Sequence, residues 1–305
     1  MTTQLPAPPE HPVASIVIRA YNEAQHLPEV LRRLSRQTTR DFEVILVDSG
    51  STDTTREIAT AAGARVVQIA KSEFTFGRSL NRGCAAARGR YLVMLSGHCY
   101  PGSPSWLEEI LAPFAEPGIA TVYGCQRGGP RTKFSEHRHF ATTFPSRSAI
   151  PQDGFFCNNA NCAIRADLWR LRHYDETLTG LEDLDWARWA TEHGHRVAYQ
   201  FTARVAHLHD ETWPQVFRRY EREAIALKRI LPDFRFSLIE FLRLFSQTVA
   251  LDMAAARRRG ALISRAREII LFRFSQYWGT YRGAHYHRAL TRQIKEQFFY
   301  PRKAR

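Results

Sequence analysis

Over the first hundred residues, four short apolar runs alternate with helix-patterned segments, and this alternation restricts the chain more than any other feature. Residues 14–21 (ASIVIRAY), 42–50 (FEVILVDSG), 64–70 (ARVVQIA) and the apolar start of 91–101 (YLVMLSGHCYP) have strand length and strand composition. Between them, 26–37 (HLPEVLRRLSRQ) sets Leu27, Val30, Leu31 and Leu34 on one helical face, with Pro28 in the first turn. Thr52 or Asp53 can cap a second helix running through Ala62, with Gly63 to end it. Residues 79–89 (SLNRGCAAARG) read as a third helix, ended by Gly89. Strand and helix at this spacing imply right-handed βαβ units, hence an α/β fold with a mostly parallel sheet. Such sheets bind ligands at the carboxyl ends of their strands. The chemistry is therefore expected in RAYNE (19–23), VDSGSTD (47–53) and SGHCYP (96–101).

Downstream the pattern is mixed. Residues 120–126 read as a strand, 127–155 as loop, 161–171 as a strand turning into a helix, and 181–194 as a helix with acids at its start. HRVAYQ (195–200) and RVAHLH (204–209) read as two short strands, and from Trp213 the chain is mostly helical to Tyr300. The expected divisions are a disordered Pro-rich lead-in (1–12), a catalytic domain (13–212) and a basic helical region (213–305). In the last, FSLIEFLRLFSQTVALDM (236–253) and ALISRAREIILFRFSQYW (261–278) mix Leu, Ile and Phe with arginine at helical spacing. They read either as membrane-surface segments or as ordinary packing of a helical subdomain.

The balance of 43 Lys and Arg against 30 Asp and Glu gives a net charge of +13. Nucleic acid, anionic lipid or a phosphorylated substrate would each answer it. The charge is concentrated late, at Arg257–Arg259, Arg265, Arg267, Arg273, Arg282, Arg288, Arg292 and the PRKAR end. No RRM, helix-turn-helix or zinc-finger pattern accompanies it, so no nucleic-acid partner is expected. No apolar run reaches membrane-spanning length, no signal peptide is visible, and the scattered cysteines (84, 99, 125, 157 and 162) form no CxxC pair. The expected location is the cytoplasm, with attachment to the inner face of the cell membrane as an option. The dinucleotide fingerprint GxGxxG and the P-loop are absent.

Single residues carry more. Asp48 ends a strand, where it can accept bonds from a base or ribose or simply cap the turn. Tyr21 is suited to stacking on a nucleobase or to the core. LEDLDW (181–186) puts acids in a first helical turn, which the helix dipole alone makes comfortable.

SIVIRAYNE (15–23), FEVILVDSGSTD (42–53), GRSLNRGCAAARGRYLVMLS (77–96) and GLEDLDWARWA (180–190) stand in the order and spacing of family 2 glycosyltransferases, which the chain resembles over roughly residues 13–220. AHLHDETWPQVFRRYEREA (206–224) is similar to a stretch in rhamnosyltransferase-type bacterial members. The resemblance implies a GT-A nucleotide-diphospho-sugar transferase fold with a C-terminal helical extension. It also implies inverting transfer of a hexosyl or deoxyhexosyl group to a glycan or lipid-linked hydroxyl, in cell-envelope polysaccharide synthesis. By it, Tyr21, Glu23 and Asp48 line the base and ribose pocket, and Arg78 and Asn81 lie near the base or diphosphate. Asp183 is the general base and Glu182 its neighbour, with Asp185 in a supporting place. Asn158, Asn159 and Asn161 are candidate partners for hydroxyls of donor sugar or acceptor.

The departure is at the fourth strand end. Family members carry Asp-x-Asp there for Mg²⁺ or Mn²⁺, and this chain has Ser96-Gly97-His98. His98 then ligates a metal, or donates directly to the diphosphate with help from Arg218 or Arg219, or is structural in a site that no longer works. His207 and His209 alternate on a strand and could complete a nitrogen-rich divalent-metal site with His98. The rival functions are a catalytically inactive nucleotide-sugar-binding subunit and, less favoured, a basic nucleic-acid-binding protein.

Overall fold

The computed structural model describes residues 3–287. Arg288, Arg292, the PRKAR end and the helical reading beyond residue 287 lie outside the described residues. The chain forms two compact units. The first comprises Met1–Arg127, Phe144–Thr177 and Glu182–Leu208, and the second Gly128–Thr143, Leu178–Leu181 and His209–Arg305.

In chain order the elements are β1 (Ala14–Ala20), α1 (Leu27–Leu34), β2 (Phe42–Asp48), α2 (Thr55–Ala61), β3 (Arg65–Gln68), α3 (Phe76–Ala86), β4 (Tyr91–Ser96), β5 (Cys99–Pro101), α4 (Trp106–Leu111) and β6 (Ile119–Gly128). Then follow α5 (Phe134–Thr143), β7 (Asn161–Arg165), α6 (Ala166–Leu171), α7 (Glu182–Glu192), β8 (Arg196–His207), α8 (Trp213–Ile230), α9 (Leu238–Arg258) and α10 (Leu262–Ala284).

The first unit is built on an eight-stranded sheet of order β3-β2-β1-β4-β7-β6-β8-β5. Its first four strands are parallel, joined by helical crossovers as the alternation requires. Beyond β4 the sheet is mixed: β7 runs antiparallel to β4 and to β6, and β5 antiparallel to β8. β1 and β2 are covered on both faces, which is why they read as continuous apolar runs. Leu27, Val30, Leu31 and Leu34 of α1 are essentially inaccessible and join the core under this sheet. Each such side chain contributes roughly 1.5–3 kcal/mol by leaving water.

Register fixes the site. Ala20 pairs with Asp48 and Arg19 with Ser96, so the tips of β2, β1 and β4 end level. α3 starts earlier than its apolar spacing indicates, because Thr75 accepts the Arg78 N–H at 3.0 Å and caps it. Gly89 is not its cap: a Cβ there would lie 2.6 Å from the Ser15 nitrogen, so glycine serves a close crossing at the base of β1. The two expected strands at 195–200 and 204–209 are one strand, β8. In the lead-in expected to be disordered, Leu5 is buried and its N–H donates to the Ala62 carbonyl at 3.0 Å.

The second unit is helical. The stretch 127–155, expected as loop, contains α5; its buried face is Phe134, Ser135, Glu136 and Phe140, too polar to show an apolar period. Helix α9 opens with a capping box in which Ser237 and Glu240 bond each other's backbone N–H. α5, α9 and α10 share the apolar cluster Phe134, Ala255, Ala256 and Ile269. Buried Asp252 lies between Arg138 and Arg273, at 2.5 and 2.8 Å. Leu238, Ile239, Leu242 and Leu251 of α9 and Ile263, Ile270 and Phe274 of α10 are exposed. Among the described residues, no helix is long and apolar enough to cross a membrane.

Candidate active site

The loop after β1 is held against the loop after β2. Asn22, in the left-handed region (φ 55°), accepts the Thr52 N–H at 2.8 Å, and its own N–H donates to Ser51 Oγ at 2.9 Å. Asp48 is buried and accepts the Gly50 and Ser51 N–H groups at 3.2 Å, which shapes the turn at the tip of β2. Lys71, not singled out from sequence, donates to the Tyr21 hydroxyl at 2.9 Å and stands 4.9 Å from the centre of its ring.

At the tip of β4, Gly97 matters for space. A Cβ there would come within 3.0 Å of Glu23 Cγ and 3.1 Å of the Arg19 carbonyl. Its absence lets Glu23 reach His98, whose Nδ1 is 2.8 Å from Glu23 Oε1. Ser96 Oγ lies 3.2 Å from His98 Nε2. The His98 ring stacks on His207, centroids 5.2 Å apart. His207 Nδ1 is 2.7 Å from Gln126 Oε1. An amide oxygen and a carboxylate only accept, so both imidazoles carry a proton on Nδ1 and, when neutral, a lone pair on Nε2. Metal-ligating histidines are prepared in this way.

Gln126 also joins the histidines to the acidic centre. Its amide donates to Asn158 Oδ1 at 2.9 Å, and the next residue, Asn159, donates its backbone N–H to Asp183 Oδ2 at 2.7 Å. Asp183 Oδ1 accepts the Leu184 N–H at 2.8 Å. Leu181, just before this helix, has φ 58°, costly for a branched side chain and common where a site fixes the backbone. Burial, and then the charge of adjacent Glu182, push the Asp183 carboxyl up to about 7 against the two N–H bonds and Arg19. Glu182 is itself buried and paired with Arg19 at 3.2 Å.

The remaining sequence candidates have other partners. Arg78 Nε donates to Glu176 at 2.7 Å. Asn81 donates to the Tyr174 carbonyl at 2.9 Å and accepts from Trp169 Nε1 at 3.2 Å, inside the core. Asn161 is buried between Trp106 and the Ala203 carbonyl, at 3.0 and 2.8 Å. Asp185 pairs with Arg172 at 2.5 Å. Arg218 stands on α8 of the second unit. His209 is also in the second unit, before that helix, with its Nδ1 2.7 Å from Glu136 Oε1. There the donor atoms of Glu136, His209 and Glu211 lie within 4.8 Å of one another, with Arg219 paired to both acids at 2.5 and 2.7 Å. The guanidinium supplies the positive charge in that cluster.

The family profile of glycosyl transferase family 2 matches residues 15–172, from β1 to the end of α6. The chain belongs to glycosyltransferase family 2. Among its relatives is the O-antigen chain rhamnosyltransferase WbaN of Salmonella anatum, 28% identical over 68% of this chain and 70% of that one. The validoxylamine A glucosyltransferase of Streptomyces hygroscopicus subsp. jinggangensis is 30% identical, over 55% of this chain and 48% of its own. In structure the chain is similar to the mannosyltransferase PcManGT from Pyrobaculum calidifontis, solved with GDP-Man and Mn²⁺: TM-score 0.62, 17% identity, 98% of this chain and 90% of that one. It is also similar to S. aureus TarS residues 1–349 with UDP: TM-score 0.52, 18% identity, 90% and 93% covered. The fold is of GT-A type, with additional C-terminal helices, and the protein is a glycosyltransferase.

Proposed function

We propose that this family 2 glycosyltransferase moves a sugar from a nucleotide diphosphate to an acceptor hydroxyl with inversion, and that Asp183 is the base. The observation that carries the reading is a carboxylate tuned to about 7, seated on two backbone N–H groups and tied through Asn159, Asn158 and Gln126 to a histidine pair. A base working near neutrality is most effective with such a value. Asp183 takes the acceptor proton as that oxygen attacks the anomeric carbon. The bond from that carbon to the diphosphate breaks on the opposite face, and the nucleoside diphosphate leaves.

Tyr21, Glu23 and Asp48 form the base and ribose side of the pocket, with Lys71 beside Tyr21. Asn158 and Asn159 face the sugar or acceptor side. His98 and His207 serve the diphosphate. Their Nδ1–H groups point at Glu23 and Gln126, which fits them as nitrogen ligands for an ion such as Mn²⁺. Such an ion supplies positive charge that offsets the leaving diphosphate. The same rings, protonated, offer hydrogen bonds to the diphosphate directly. The names of the relatives favour a growing glycan chain as acceptor, and a rhamnosyl or other hexosyl donor. The exposed apolar residues and arginines of α9 and α10 suit a membrane surface where a lipid-linked acceptor is presented, on the cytoplasmic side.

A melting-point screen of the full chain with nucleotide sugars, each with Mn²⁺, Mg²⁺ or EDTA, tests the reading. A ligand that binds only the folded state raises the midpoint. A donor-specific rise, followed by release of nucleoside diphosphate and an inverted product, is expected. No response to any donor would reject it.

A further inference from the structure

Arg19 is the next-to-last residue of β1, a strand whose other side chains are nearly all apolar core, and it is a cation committed to a distant acid. Its Nη1 lies 3.2 Å from Glu182 Oε1, a contact across 163 positions of sequence. Glu182 is 4% exposed and stands beside the half-buried Asp183. The guanidinium is also held over the Phe76 ring, 5.0 Å from its centre, which limits where it can swing. Two neighbouring acids in a dry pocket repel, and a fixed cation decides how much negative charge they can hold together.

We infer that Arg19 is a positioning residue of the catalytic centre: it clamps Glu182, so that the Arg19–Glu182 pair sets the charge environment in which Asp183 works. This rests on the reading of Asp183 as base. The pair pulls in two directions. Glu182 raises the proton affinity of Asp183 and Arg19 lowers it. The Asp183 charge is also felt by Cys162 on β7 and Tyr174 before α7, and burial keeps both of these protonated through the working range. The neighbouring acid on α7, Asp185, is taken by Arg172. The charged side chains that act on Asp183 most are Glu182 and Arg19.

The test is the pH dependence of kcat/KM for nucleoside diphosphate release, using the donor that most raises the melting point. The enzymes compared are wild type, Arg19→Met, Arg19→Lys, Glu182→Gln and the Arg19→Met/Glu182→Gln double variant. Arg19→Met is expected to move the acid limb up by about one pH unit, and Glu182→Gln to move it down. Arg19→Lys keeps the limb near its wild-type place. With Glu182 neutral, removing Arg19 moves the limb much less. If Arg19→Met does not fold, Arg19→Gln gives the same reading. A uniform fall in rate with an unmoved limb would mean that Arg19 is only structural and would overturn the inference. Asp183→Asn separates the two layers: if it stays active, the base assignment fails and this inference with it. If it is dead while the Arg19 variants keep the wild-type limb, this inference alone fails.

Discussion

Asp183 in the first unit is half-buried and Glu136 in the second fully buried, and the charges around these two carboxylates act on them oppositely. Asp183 has two backbone N–H groups and an acidic neighbour, and burial together with Glu182 pushes its carboxyl up to about 7. Glu136 is fully buried, yet Arg219 and His209 overcome its burial and hold its carboxyl well below the usual range. The first is left short of positive charge and is ready to take a proton. The second is saturated with positive charge and cannot. Burial alone therefore does not identify a working acid; the balance of charge around it does.

The largest effect that would sharpen this contrast is on rate. Asp183→Asn should lower kcat by roughly 10²–10⁴-fold, the usual worth of a general base, with donor binding kept. Glu136→Gln should act on stability instead, costing roughly 1.5–3 kcal/mol in denaturant melts, because Arg219 and His209 lose a buried charged partner while Arg219 keeps Glu211.

The pH dependence of stability has opposite sign at the two sites. The folded value of Asp183 is raised, so its contribution is complete below about pH 4 and is lost as pH rises through about 7. The value of Glu136 is depressed, so its contribution is present above the ordinary carboxylate range and is lost on acidification. At pH 8, Asp183→Asn should therefore melt higher than wild type while Glu136→Gln melts lower. An Asp183→Asn protein that melts below wild type at pH 8, or a Glu136→Gln protein that melts above it, would break the contrast.

A smaller effect is expected at Gln126, which orients His207. Gln126→Ala should weaken Mn²⁺ affinity about 10–100-fold in metal titrations of the melting point. The smallest belongs to Asp185. Its partly exposed pair with Arg172 is worth about 1 kcal/mol or less, and Asp185→Asn should leave kcat nearly unchanged.

The parallel half of the sheet was legible because β1, β2 and β4 announce themselves by composition and α1 by its apolar spacing. The sequence alone thus puts Tyr21, Glu23, Asp48, Ser96 and His98 at neighbouring strand tips. The second half was less legible. Helix α5 buries Ser135 and Glu136 among its phenylalanines, so its period is hidden. The mixed pairing of β5 to β8 depends on contacts far apart in sequence. Within the site, the clamp of Arg19 on Glu182 and the bridge of Gln126 between His207 and Asn158 have no local signal at all. Arg19 reads as one polar residue in a strand, and Gln126 as the end of another. Arg78 and Asn81 show the converse. Their residue types suit a phosphate and a base, but their bonds to Glu176, Tyr174 and Trp169 are visible only in three dimensions.

The most direct measurement is single-turnover release of nucleoside diphosphate by Asp183→Asn and wild type at pH 8, each saturated with the donor that most raises its melting point. An undiminished donor-induced rise together with a rate at least a hundredfold lower, roughly the floor for a lost general base, is the predicted result. An Asp183→Asn enzyme that turns over at the wild-type rate would contradict the account.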